Sequence, residues 1–212
     1  MNILDRILLT NTTLIGYDTQ NEISVQKLLR FLPSVTLFES AEASEILQHF
    51  SSLAHFRDYK LNSLLNDDSI NYIVVDLSTL YFNEEKETGD KYQETFSKAK
   101  YISNFVKELQ SLLFTLSNTE SLVKFKLILL TGIYATMTPM NVQVEFRGGM
   151  TLMYVADLVI KFLGDTVSIE KDRIRCKGNY FFFTDNRYIN NTKQELREIS
   201  IKSLFDEITT TT

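Results

Sequence analysis

Two stretches of this chain are apolar at consecutive positions: Tyr72-Ile73-Val74-Val75, closed by Asp76, and Leu127-Ile128-Leu129-Leu130 within the run from Phe125. A strand sends successive side chains to opposite faces, so such runs need cover on both sides. That requirement is met in a parallel sheet flanked by helices, and hardly anywhere else in a small domain. The segments between them have the matching character. Ile46, Leu47, Phe50, Leu53 and Phe56 share one helical face, and Ile102, Phe105, Val106, Leu109, Leu112, Leu113 and Leu116 repeat at helical spacing.

The remaining elements follow from the same signals. Thr13 to Tyr17 reads as the first strand, with Ser24 as N-cap of a helix through Val25, Leu28, Leu29 and Leu32 that stops near Pro33. Val35 to Phe38 is a short strand. The order strand, helix, strand, helix, strand, helix, strand implies right-handed βαβ units. After Gly148-Gly149 the pattern becomes strands with short turns: 157–163, 167–177, 180–184 and 196–201, with Asp165-Thr166 and Lys177-Gly178-Asn179 as turn candidates. The expectation is an α/β fold that finishes in antiparallel strands. With no linker composition anywhere, residues 1–212 read as one domain, and Thr209 to Thr212 as a disordered tail.

Composition narrows the function classes. The lone Cys176 excludes an intrachain disulfide and a cysteine metal cluster, which fits an intracellular, cytoplasmic or nuclear, protein. His49 and His55 lie six apart on one helix and do not share a face, so no metal site is expected. No apolar run reaches the ~20 residues of a membrane span, and no secretory leader is evident. A net charge of −5 argues against a protein that coats nucleic acid generically.

Three segments in order carry a family resemblance. Leu14-Ile15-Gly16-Tyr17-Asp18-Thr19-Gln20 is similar to the strand that ends in Asp-Ser-Glu or Asp-Ala-Glu in the RecA family. Tyr72 to Ser78 resembles that family's Walker B strand, with Asp76 in the place of the acid that holds magnesium through water. Gly148-Gly149 and the segment Met150 to Ile160 look like the glycine pair, short helix and strand that follow the family's second DNA-binding loop. The resemblance is closest to phage UvsX-type recombinases and covers roughly residues 10 to 202. It implies a RecA-like sheet and a part in DNA recombination, repair or replication.

The chain departs from that family where the chemistry is done. Triphosphate binding needs a glycine-rich loop with a Lys for the phosphates and a Ser or Thr for magnesium. The sequence holds no Gly-x-x-x-x-Gly-Lys-Ser/Thr, and the family's first strand, expected before Leu14, is missing with it. The family's water-activating Glu falls on Gln20, and an amide cannot act as general base at neutral pH. Glu22 could replace it only in a remodelled loop. The resemblance therefore implies a non-hydrolytic paralogue with degenerate positions at Gln20 and Asp76, no catalytic residue and no cofactor.

Contact residues are the remaining candidates. Ile133 to Arg147 occupies the position of the family's DNA-contacting loop, with Tyr134 and Arg147 suited to stacking on a single strand and Gly148 and Gly149 following. Met137, Met140 and Phe146 in the same segment suit a protein interface as well. Arg187, in Asp185-Asn186-Arg187, falls where the resemblance implies a basic motif near the nucleotide of a neighbouring subunit. Lys171, Arg173, Arg175 and Lys177 alternate along a strand and form a candidate phosphate-facing stripe, or else a charged edge. The expected partners are a RecA-like or other protein and single-stranded DNA, with no membrane. The alternatives are a purely architectural subunit, or one that lends Arg187 or Lys193 to a partner's ATPase site.

Overall fold

Buried apolar runs and amphipathic stretches alternate along the chain as the sequence implies, and they build an α/β fold with a mostly parallel mixed sheet flanked by helices. The computed structural model describes residues 3–55, 70–80, 91–117, 124–137, 142–147, 150–173, 182–184, 187–189 and 199–211. The elements are α1 (Ile3–Leu9), β1 (Thr12–Tyr17), α2 (Glu22–Leu29), β2 (Val35–Phe38), α3 (Ala43–His55), β3 (Ile70–Asp76), α4 (Lys91–Ser117), β4 (Lys124–Met137) and β5 (Val142–Phe146). They continue as α5 (Met150–Val155), β6 (Leu158–Leu163), β7 (Thr166–Asp172), β8 (Phe182–Thr184), β9 (Arg187–Ile189), β10 (Ile199–Ser200) and α6 (Ile201–Thr211). The strand order is β10-β7-β6-β1-β4-β3-β2, with β5 paired to β4 off this path and β8-β9 as a separate hairpin.

The packing falls into two compact units, Met1–Leu32 with Leu129–Thr212, and Pro33–Ile128.

In the first unit β1 runs parallel to β6, with Leu14 beside Val159 and Ile15 beside Ile160, all buried. Burial on both faces is what the unbroken Leu14-Ile15 and Leu158-Val159-Ile160 runs require. Chain direction reverses at Gly164, whose φ of +54° a side-chain-bearing residue would rarely adopt, and β7 returns antiparallel to β6. Val159 faces Lys171 while Ile160 faces Ile169, so Glu170 is the extra residue of a β-bulge. Helix α6 places Ile201, Leu204, Phe205 and Ile208 at helical spacing, with Leu204 and Ile208 fully buried.

In the second unit β2 and β3 pair in parallel from Val35↔Tyr72 to Phe38↔Val75. Helix α4 buries Ile102, Phe105, Val106, Leu109, Leu113 and Leu116, the stripe read from the sequence, apart from half-buried Leu112. Phe50 on α3 meets Phe38 and Phe125 edge-on, at centroid distances of 5.9 and 6.3 Å.

Several boundaries differ from the sequence reading. Ser24 lies inside α2 rather than capping it, since the helix already starts at Glu22 after Asn21. The strand expected over 167–177 ends at Asp172. Of the strand expected over 196–201, residues 196–198 lie outside the described residues, Ile199 and Ser200 pair with β7, and the chain is helical from Ile201 to Thr211, a range that takes in 209–211. The apolar face of α6 supplies the reason, because its burial holds the helix through to its last turn.

Candidate functional site

The turn between β1 and α2 is the place where an open α/β sheet presents ligands, beyond the carboxyl end of a strand flanked on both sides. Here β1 lies between β6 and β4. Asp18 closes this turn with its own carboxylate. Its Oδ1 accepts the backbone N–H of Gln20 (3.1 Å) and of Asn21 (3.1 Å) and the Nδ2 of Asn21 (2.8 Å). Its Oδ2 accepts the N–H of Gly164 at 2.8 Å, and Asn21 Nδ2 also donates to the Gly164 carbonyl at 2.9 Å. The sequence favours this arrangement locally: Asp and Asn side chains bond backbone groups two or three residues on. Four donors are thereby saturated by a fixed negative charge at the start of a helix, where an anionic ligand would otherwise be attracted. Gln20, one of the two positions at which the resemblance implies degeneracy, is exposed beside this turn.

Asp76 ends β3 in the second unit and is 8% exposed. Its Oδ1 accepts the Ser78 N–H at 2.9 Å and the Ser78 hydroxyl at 2.5 Å. Thr79 Oγ1 donates to the Asp76 carbonyl (3.3 Å) and accepts the N–H of Ser40 (3.2 Å), a residue held at φ 51°. The ends of β2 and β3 are thus tied by the Thr79 hydroxyl.

The segment Ile133 to Arg147, expected as a loop, contains the distal part of an antiparallel hairpin, with Ile133↔Phe146, Tyr134↔Glu145 and Met137↔Val142 in register. The overlooked signal is Val142-Gln143-Val144-Glu145-Phe146, a strict alternation of apolar and polar residues. Tyr134 is 42% exposed and donates its hydroxyl to Glu145 Oε2 at 3.0 Å. That bond, then burial and the Glu145 charge, raise the Tyr134 pKa against the lowering influence of Arg147. Arg147 is exposed, yet its stem lies against Gly132: a Cβ there would come within 3.2 Å of Cδ. The Arg147 backbone bolts the base of the hairpin, donating to the Gly132 carbonyl (2.9 Å) and accepting the Thr131 hydroxyl (2.7 Å).

Phe146, a candidate for an outward interface, is only 6% exposed, and its ring fills the space over Gly16. Met137 stands opposite Val142 in the hairpin, and Arg187 opposite Thr184 in β9. Met140, Gly148, Gly149, Arg175 and Lys177 lie outside the described residues.

The proposed basic stripe does not survive as a surface feature at Lys171. Its side chain is buried, 5% exposed, and Nζ donates to the carbonyls of Met153 (2.6 Å), Tyr154 (3.1 Å) and Ala156 (2.6 Å) at the end of α5. Cover on both faces of β7 is the physical reason, since every residue from Val167 to Asp172 is buried and a two-residue period then leaves no solvent face. The three carbonyl bonds use all three protons of an ammonium group. Burial opposes that charge and, helped by Arg173 and resisted by Asp157, lowers the pKa to about 8. Arg173, its side chain 38% exposed, is held by Asp157 Oδ1 (3.2 Å) and the Tyr154 carbonyl (3.0 Å).

Sequence reasoning also missed the partners of the neighbouring charges. Glu170 pairs with Lys161, and Asp172, with 0% exposure, pairs with Arg6 of α1. A pairing across 166 positions leaves no local signal to read.

A scan against family models finds no match for this chain, and a search of curated proteins finds no relative. Among the described residues, no helix is long and apolar enough to cross a membrane.

Proposed function

We propose that this chain is a RecA-like, non-hydrolytic accessory subunit in DNA recombination, repair or replication, working by assembly with an ATP-hydrolysing partner and by contact with single-stranded DNA. The observation that carries the non-hydrolytic part is the Asp18 carboxylate, which takes the N–H groups of Gln20, Asn21 and Gly164. A phosphate at this turn would have to displace a like charge and reopen four hydrogen bonds. Gln20 reinforces the reading, since it cannot serve as general base.

For DNA contact the support is Tyr134 with Arg147, an exposed aromatic ring near an exposed guanidinium on one hairpin. Stacking on such a pair is tolerant of sequence, as an accessory to recombination requires. The test is DNA strand exchange by a RecA-type recombinase with and without the purified chain. Stimulation that Tyr134→Ala and Arg147→Ala each reduce supports the proposal; no effect at any ratio counts against it.

A second reading, an architectural subunit without DNA contact, is favoured by the burial of Lys171 and by the net charge of −5. It predicts no salt-dependent binding of a labelled oligothymidine.

A further inference from the structure

We propose that the free edge of β2 is a docking site for an extended, basic-flanked segment of a partner protein, which adds to the sheet as a strand. Among the described strands β2 ends the order and pairs only with β3. The Tyr72 N–H donates to the Ser34 carbonyl at 2.8 Å, which fixes the phase of the parallel ladder. Ser34, Thr36 and Phe38 therefore turn their backbone groups toward β3, and Val35 and Leu37 turn theirs away.

Apart from its shortness, that outer edge carries none of the residue-level devices that ordinarily blunt one. Val35-Thr36-Leu37-Phe38 has no Lys, no Pro and no bulge. Val35 and Leu37, on one face by the two-residue period, are 38% and 41% exposed, and Thr36 between them is exposed too. An unpaired ladder with alternate apolar side chains is the recognition surface used when a peptide joins a sheet edge.

Charge selects the occupant. From Pro33 to His55 the chain carries Glu39, Glu42 and Glu45 and neither Lys nor Arg. Glu39 follows directly on β2 and is exposed. A second copy of this chain would bring the same acidic flank to the contact, whereas a strand bearing Lys or Arg at its end meets opposite charge.

The probe is a synthetic peptide of alternating valine and threonine with two lysines at each end, tested beside the same peptide carrying glutamates instead. Titration into the intact chain is followed by anisotropy and by amide hydrogen exchange. The lysine peptide is expected to bind, to protect the Val35 and Leu37 amides, and to weaken at high salt, with the glutamate peptide at least about tenfold weaker. Leu37→Pro removes an outward donor while leaving the ladder to β3 in place, and should weaken binding by about tenfold or more. Leu37→Lys keeps every N–H and should weaken it through charge. Failure of the lysine peptide to bind overturns the proposal, as does protection elsewhere than on β2. A chain that sediments as a dimer, and as a monomer after Leu37→Pro, overturns it in favour of self-association. None of these readouts depends on nucleotide or DNA, so this proposal and the recombination reading can fail separately.

Discussion

Lys171 reaches across 2.6 Å to donate its ammonium to the carbonyl of Ala156, and the carbonyls of Met153 and Tyr154 accept its other two protons. A buried lysine thereby caps the end of α5, whose Tyr154 carbonyl it shares with Arg173. Lys171→Met keeps the bulk and removes the donors. It should lower stability by about 1–3 kcal/mol in urea unfolding, the cost of leaving buried acceptors unsatisfied. It should leave affinity for an oligothymidine unchanged, because the ammonium is not at the surface.

The same lysine gives a pH signature. Its folded-state pKa is lowered to about 8 against an ordinary value of 10.5, chiefly by burial. Between those values the unfolded chain binds more protons, so stability rises as pH climbs through that window. Tyr72 acts in the opposite sense higher up: burial raises it from 10.0 to about 12, so the unfolded chain ionises first and stability falls above pH 10. Thermal melts across this range should show the rise in wild type and lose it in Lys171→Met.

Gly16 permits the packing of β1 beneath the hairpin. A Cβ at this position would lie 2.2 Å from Phe146 Cε1 and 2.8 Å from Ile133 Cγ2, both on buried side chains. Gly16→Ala should cost about 1–3 kcal/mol through overpacking, and Gly16→Ala with Phe146→Leu should recover part of it. A Gly16→Ala protein as stable as wild type would show that the ring moves aside freely.

Arg6 and Asp172 form a buried ion pair between α1 and β7. Arg6→Met should destabilise by about 3–5 kcal/mol, because the carboxylate at 0% exposure loses its cation. Replacing both residues with apolar ones should cost far less than the single change.

The parts legible in the sequence are those with a short period. The Tyr72–Val75 and Leu127–Leu130 runs, the α4 stripe from Ile102 to Leu116 and the change to antiparallel strands after α5 all stand in the structure. The hairpin strand Val142–Phe146 and helix α6 were also readable, from alternation and from Ile201, Leu204, Phe205 and Ile208, but lay under a loop and a strand assignment. The burial of Lys171 was not legible for another reason. Strand β7 is covered on both faces from Val167 to Asp172, and that cover comes from elements distant in the chain, which leave no mark beside the lysine. Asp18 was legible as a residue but not as a lock, since its partner Gly164 lies 146 positions away.

The central claim, that this chain is a non-hydrolytic subunit whose β1–α2 turn is closed by Asp18, is tested most directly by calorimetric titration of ATP and magnesium into the purified chain. No saturable heat is expected, for wild type and for Asp76→Ala alike. Magnesium-dependent ATP binding that disappears in Asp76→Ala would contradict the account.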